Sequence, residues 1–95
     1  MEIAPSYTVV FDMRVHKLDF PRLSKNIRTA IIQSVEKKLT THPDIFGKPL
    51  RGSLKNHWRL RVGDYRVVYR ITGAMVHIFA IELRPTVYQT MKKRI

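Results

Sequence analysis

Four arginines and a histidine fall within one short stretch, His57-Trp58-Arg59-Leu60-Arg61-Val62-Gly63-Asp64-Tyr65-Arg66-Val67-Val68-Tyr69-Arg70. Side chains of a strand alternate between its two faces. His57, Arg59, Arg61, Arg66 and Arg70 therefore share a side if two strands meet at Gly63-Asp64, a good two-residue hairpin signal. That turn pairs Val62 with Tyr65, Arg61 with Arg66, Leu60 with Val67 and Arg59 with Val68. Like charges directly opposite each other cost a few tenths to about 1 kcal/mol unless an anion lies between them. Few carboxylates are near in sequence: Asp64 at the turn and Glu82 on the strand that follows. The arrangement predicts a site for an external phosphate, which a planar guanidinium fork suits better than a lysine ammonium. Alternating charge is ordinary on a half-exposed strand, and solvated arginines contribute little. Here, however, the usual mixture of Lys, Glu and Thr is replaced by Arg or His at almost every outward position.

The whole chain carries the same sign. Its 95 residues hold 18 Lys and Arg against 7 Asp and Glu, a net charge of +11. Ten of the basic side chains but only two of the acidic ones lie in residues 51–95. An excess of this size on a small surface favours an anionic partner such as nucleic acid, an acidic protein or an anionic membrane, and places its binding surface in the second half. The absence of cysteine excludes disulfides and thiolate chemistry. His16, His42, His57 and His77 lack metal-ligand spacing, and no phosphate-cradling glycine loop, serine nucleophile motif or carboxylate pair is present. No metal or cofactor is expected. The start, Met1-Glu2-Ile3-Ala4-Pro5-Ser6, lacks the basic and apolar parts of a signal peptide, and no apolar run approaches the roughly 20 residues that cross a bilayer. Cytoplasmic residence without a membrane partner is the expectation.

A single α+β domain over residues 1–95 must position these groups. Tyr7–Phe11 reads as a first strand. A short helix using Val15 and Leu18 is expected to stop before Pro21. Ser24 reads as the N-cap of a long helix in which Ile27, Ile31, Val35 and Leu39 recur every four residues, ending near Thr41 ahead of His42-Pro43. Residues 44–56 read as a loop leading into a short edge strand around Leu50 and Arg51. Three antiparallel strands follow, at His57–Val62, Tyr65–Ile71 and Met75–Ile81. A last segment from Thr86 is a short helix or a tail. The helices are expected on one sheet face, over Trp58, Leu60, Val62, Tyr65, Val67, Tyr69 and Ile71.

Gly47-Lys48-Pro49-Leu50-Arg51-Gly52 and then Trp58-Arg59-Leu60-Arg61-Val62-Gly63-Asp64-Tyr65-Arg66-Val67-Val68-Tyr69 resemble the RelE/ParE superfamily of toxin–antitoxin toxins. The order of elements agrees across nearly the whole chain. The resemblance implies a toxin neutralised by an acidic antitoxin and, in the RelE branch, ribosome-dependent cleavage of mRNA. ParE members poison DNA gyrase instead, and the hairpin motif does not separate the two branches. A non-catalytic RNA-binding module is a third reading, which predicts salt-sensitive RNA affinity that survives loss of His57 and Tyr88.

Mapped through that resemblance, RelE-type active-site positions fall on His57, Arg59, Arg66, Arg84 and Tyr88. His57 and Arg59 stand where the RelE pattern usually has lysines. Metal-free cleavage needs the 2′-hydroxyl to attack the adjacent phosphate, with one proton removed, another donated and extra negative charge stabilised. Arginines serve only the last task, which falls to Arg59, Arg66 and Arg84. His57 is the candidate acid or base, and Tyr88 stacks on a base or transfers a proton. Arg51, Lys55, Arg61 and Arg70 are expected to hold RNA backbone, with Lys92, Lys93 and Arg94 doing so from a flexible basic tail.

Overall fold

A computed structural model describes residues 6–95 of the chain; the reading of the leaderless start at residues 1–5 lies outside them. Five strands form one sheet in the order β1-β5-β4-β3-β2. They are β1 (Thr8–Phe11), β2 (Lys48–Pro49), β3 (Trp58–Val62), β4 (Tyr65–Thr72) and β5 (Met75–Leu83). Strands β3, β4 and β5 form an antiparallel meander, and β1 lies parallel to β5, from Thr8 opposite Met75 to Phe11 opposite Ile78. The β3–β4 register is the one expected, with Arg61 opposite Arg66 and Val62 opposite Tyr65. Gly63 makes it possible by taking φ 59°, a left-handed conformation that costs a residue with a Cβ roughly 1–2 kcal/mol.

The Ser24 side chain accepts a hydrogen bond from the Ile27 amide and starts helix α1 (Lys25–Ser34). The helix continues through a wider π-type turn at Val35–Leu39. Its four-residue spacing puts Ile31, Val35 and Leu39 into a core with Leu60, Val67, Tyr69, Val76, Ile78 and Ile81. The short helix ahead of it departs from expectation. Its π-type turn, Val15–Asp19, runs directly into a 3-10 turn, Phe20–Arg22, so Pro21 lies inside the helical segment. Pro21 is tolerated at the second position of that turn, where its fixed φ suits the helical backbone. Leu18 is exposed, and Phe20 joins Val15 in the core in its place.

The edge strand is Lys48–Pro49, two residues earlier than Leu50 and Arg51, with Lys48 opposite Arg59 and Pro49 opposite Trp58. Its position follows from the helical turn before it, α2 (Pro43–Phe46). The hydroxyl of fully buried Tyr69 donates to the Pro43 carbonyl, and burial followed by the nearby charge of Asp44 pushes that phenol far above its ordinary pKa. A Cβ on Gly47 would sit 1.8 Å from the same hydroxyl oxygen. Gly47→Ala is therefore expected to cost about 1–3 kcal/mol by overpacking, read as a lower urea midpoint. Tyr69→Phe in the same molecule should recover part of that loss, because the two sites are coupled.

The C-terminal segment is a helix, α3 (Thr86–Arg94), and not a tail. Its Val87 and Met91 pack with Leu54, Val68 and Ala80 in a second, smaller core on the face opposite α1. Val68 lies opposite Ala80 and Tyr69 opposite Ile78, which leaves Phe79 as a bulge without a partner. Arg94 closes the arrangement: it donates twice to Asp19, at 2.8 Å each, and to the Phe79 carbonyl at 2.9 Å. Asp19 also accepts from the Ile81 amide at 2.8 Å. The buried pair thus satisfies β5 beyond the reach of β1. Among the described residues no helix is long and apolar enough to cross a membrane.

Candidate phosphate-binding cleft

Residues directly opposite in a sheet share a face, as do residues two apart on a strand. The registers Lys48–Arg59, Arg61–Arg66 and Arg66–Glu82 therefore carry one row of charge across four strands. Beyond the part covered by α3, this face opens into a cleft of about 220 Å³ lined by Phe46, Lys48, Arg59, Arg61, Arg66 and Arg84. Arg84 reaches it from the short connection between β5 and α3.

Arg66 is the most enclosed cation of the set, 6% exposed. Its Nη1 donates to the carbonyls of Gly63, at 3.2 Å, and Tyr65, at 3.1 Å, while its buried Nε has no partner. Arg61 Nε donates to the Gly63 carbonyl at 3.3 Å. The turn thus fixes two guanidinium groups through its backbone. Among the described residues, none of the five cations has a carboxylate within 4.0 Å.

Three of the acids around the sheet, Asp12, Asp19 and Glu82, are engaged elsewhere, and Asp64 is exposed at the turn. Arg14, hydrogen-bonded to Asp12, is the main reason that carboxyl is held down at about 2. Asp19 belongs to Arg94. Glu82, although opposite Arg66, turns to α3, where both carboxylate oxygens lie within 2.9 Å of the Thr90 hydroxyl and one lies 3.9 Å from Arg94. Helix α3 so withdraws the one carboxylate that the register offers to Arg66. What remains is a concave surface of positive charge whose guanidinium forks match the geometry of a phosphate.

The other expected site residues lie outside this cleft. His57 is 8% exposed, packed edge-on against Phe79 with ring centroids 5.5 Å apart, and its Nδ1 has no partner. Tyr88 is half-buried on α3 against the second core. Arg70 lies opposite His77 at the far end of the face. Arg51 and Lys55 are exposed beside the 3-10 turn Gly52–Leu54, and Lys92 and Lys93 are exposed on α3. Arg94, expected in a flexible tail, has its side chain 6% exposed and its guanidinium taken by Asp19.

The family model for the ParE toxin of type II toxin–antitoxin systems of the parDE kind matches residues 15–87. The chain is 38% identical over 73 residues to Toxin RelE of Mycobacterium tuberculosis, spanning 75% of each protein. It is 32% identical over 85 residues to Toxin RelG of the same organism, covering 87% of this chain and 97% of that relative. This chain belongs to the RelE/ParE superfamily of type II toxin–antitoxin toxins. The fold of this RelE/ParE toxin superposes on the RelBE2 toxin–antitoxin complex of M. tuberculosis with a TM-score of 0.77, at 32% identity over 87% of this chain and 95% of that one. It also resembles a free mutant of E. coli RelE in fold, with a TM-score of 0.75 at 23% identity over 95% of this chain and 98% of that one.

Two members of the toxin's cleft, Lys48 and Phe46, are absent from the sequence-derived set. Lys48 becomes visible only when the edge strand is placed at Lys48–Pro49, which sets it opposite Arg59. Phe46 had one sequence signal, an aromatic in a turn that contributes to no apolar periodicity.

Proposed function

We propose that this toxin is a cytoplasmic, single-domain endoribonuclease that cuts mRNA on the ribosome, using the cleft to hold and activate one phosphodiester. The observation that carries the reading is the cluster of five cations in one concave site with no carboxylate against them among the described residues. In the proposed reaction the 2′-oxygen bonds to phosphorus as the bond to the 5′-oxygen breaks, giving a 2′,3′-cyclic phosphate and a 5′-hydroxyl. One proton leaves the 2′-hydroxyl and another reaches the departing oxygen. Arg59, Arg66 and Arg84 stabilise the phosphorane-like charge, since donors fixed in advance around a developing oxyanion need no reorganisation. Lys48 and Arg61 hold the neighbouring backbone, and Arg51, Lys55, Arg70, Lys92 and Lys93 extend the positive field along the strand.

The side chains lining the cleft are Phe, Lys and Arg, with no His, Tyr, Asp or Glu among them. The proton transfers therefore fall to His57 or Tyr88, on the same side of the sheet toward α3, or to groups of the ribosome itself. A requirement for the ribosome follows naturally from a site that supplies charge and little acid–base chemistry. His57→Gln and Tyr88→Phe separate the sources. Loss of about 10²-fold or more in cleavage with either variant assigns proton transfer to that side chain. Near wild-type rates with both assign it to the ribosome.

An acidic antitoxin is the proposed regulatory partner, fitting the net charge of +11 and the mycobacterial relative solved as a toxin–antitoxin complex. Primer extension on transcripts in a reconstituted translation system tests the function: cuts that require both toxin and ribosomes support it, and intact transcripts at saturating toxin refute it. The matched ParE model favours one second reading, inhibition of DNA gyrase. That reading predicts intact transcripts together with lost supercoiling activity in a purified gyrase assay.

A further inference from the structure

Phe46 ends α2, is 46% exposed, and belongs to neither hydrophobic core. A solitary exposed apolar side chain is ordinary, so the exposure by itself says nothing. Its location does, because Phe46 lines the same cleft as Lys48, Arg59, Arg61, Arg66 and Arg84. Its mounting is also fixed. The Tyr69 hydroxyl holds the Pro43 carbonyl at the start of the turn, and buried Gly47 abuts the same hydroxyl at its end. The Lys38 ammonium lies 5.8 Å from the ring centroid and the His42 ring centroid lies 6.5 Å away.

A free phosphate or a duplex backbone would use only the cations of this cleft. An unpaired nucleotide would use both chemistries, because every base offers a π-face that stacks on an aromatic ring. We propose that the cleft receives a nucleotide of single-stranded RNA with its base splayed out onto Phe46, the ring acting as a positioning residue for the phosphate beside it. This inference rests on the phosphate reading given above and adds to it a residue that positions the nucleotide. Stacking is tolerant of base identity, so Phe46 selects for an unpaired base and not for a particular sequence.

The test is a binding titration of the full-length protein with two fluorescent 2′-O-methyl oligoribonucleotides of equal length, one with bases and one abasic over its central positions. The wild-type protein is expected to prefer the base-bearing strand by about tenfold. Phe46→Leu should abolish that preference while leaving affinity for the abasic strand unchanged, and Phe46→Trp should restore it. A preference that survives in Phe46→Leu overturns the inference. So does an equal loss on both strands, which would mean that the ring only shapes the cleft, or serves a protein partner. If Arg59→Ala leaves both affinities unchanged, the phosphate reading itself fails and this inference falls with it.

Discussion

Replacing Arg66 with alanine is expected to slow ribosome-dependent transcript cleavage by about 10²–10³-fold, the usual cost of losing one preorganised donor to a developing oxyanion. Arg66 combines enclosure, backbone fixation through the Gly63 and Tyr65 carbonyls and, among the described residues, no carboxylate within 4.0 Å. Its removal strands no buried anion, since Glu82 is already held by Thr90. It also relieves the like-charge opposition with Arg61, which is worth a few tenths to about 1 kcal/mol. Stability should therefore stay the same or rise slightly while cleavage collapses, and a purely structural arginine would show the opposite pattern. Arg66→Lys should fall between, keeping the charge but losing the planar fork. Primer extension at matched toxin concentrations reads the rates, and urea unfolding reads the stabilities.

The second large effect belongs to the buried ion pair that ties α3 to β5. Asp19→Ala is expected to destabilise the fold by about 3–5 kcal/mol, the range for breaking one side of a buried ion pair. The Arg94 side chain is 6% exposed and would be left without its counter-charge, and the Ile81 amide would lose its acceptor. Because Arg94 also bonds the Phe79 carbonyl, the loss should concentrate in α3 and show as faster amide exchange across Thr86–Arg94. Asp19→Leu combined with Arg94→Met should recover much of the stability, since apolar replacements of similar volume remove the stranded charge. Failure of Asp19→Ala to lower the denaturation midpoint would mean that α3 is held by its apolar contacts alone.

The part of the site that periodicity could reach was legible. Gly63-Asp64 gave the turn, the turn gave the register, and the register put Arg59, Arg61 and Arg66 on one face. The main helix was equally plain from Ser24 and the four-residue spacing of Ile27, Ile31, Val35 and Leu39. What alternation could not reveal is what lies on top of a face. His57 has the parity of Arg59, yet it is buried against Phe79. The clue was the pairing of apolar neighbours, Val67 with Val68 and Phe79 with Ala80, since two adjacent apolar residues on a strand mean that both faces are covered. Lys48 was hidden by a two-residue error in the edge strand, which arose because the contact between Gly47 and Tyr69 joins positions far apart in sequence. Arg94 looked like tail charge because its partner Asp19 is equally distant.

Arginine side-chain NMR, following the Nε–Hε signals during titration with a non-cleavable 2′-O-methyl oligoribonucleotide, tests the central claim most directly. Arg59, Arg66 and Arg84 should shift together and saturate at one concentration, while Arg14 and Arg94, already committed to Asp12 and Asp19, stay in place. Shifts confined to Arg51 and Arg70, with the three cleft signals unmoved at saturation, would contradict the account.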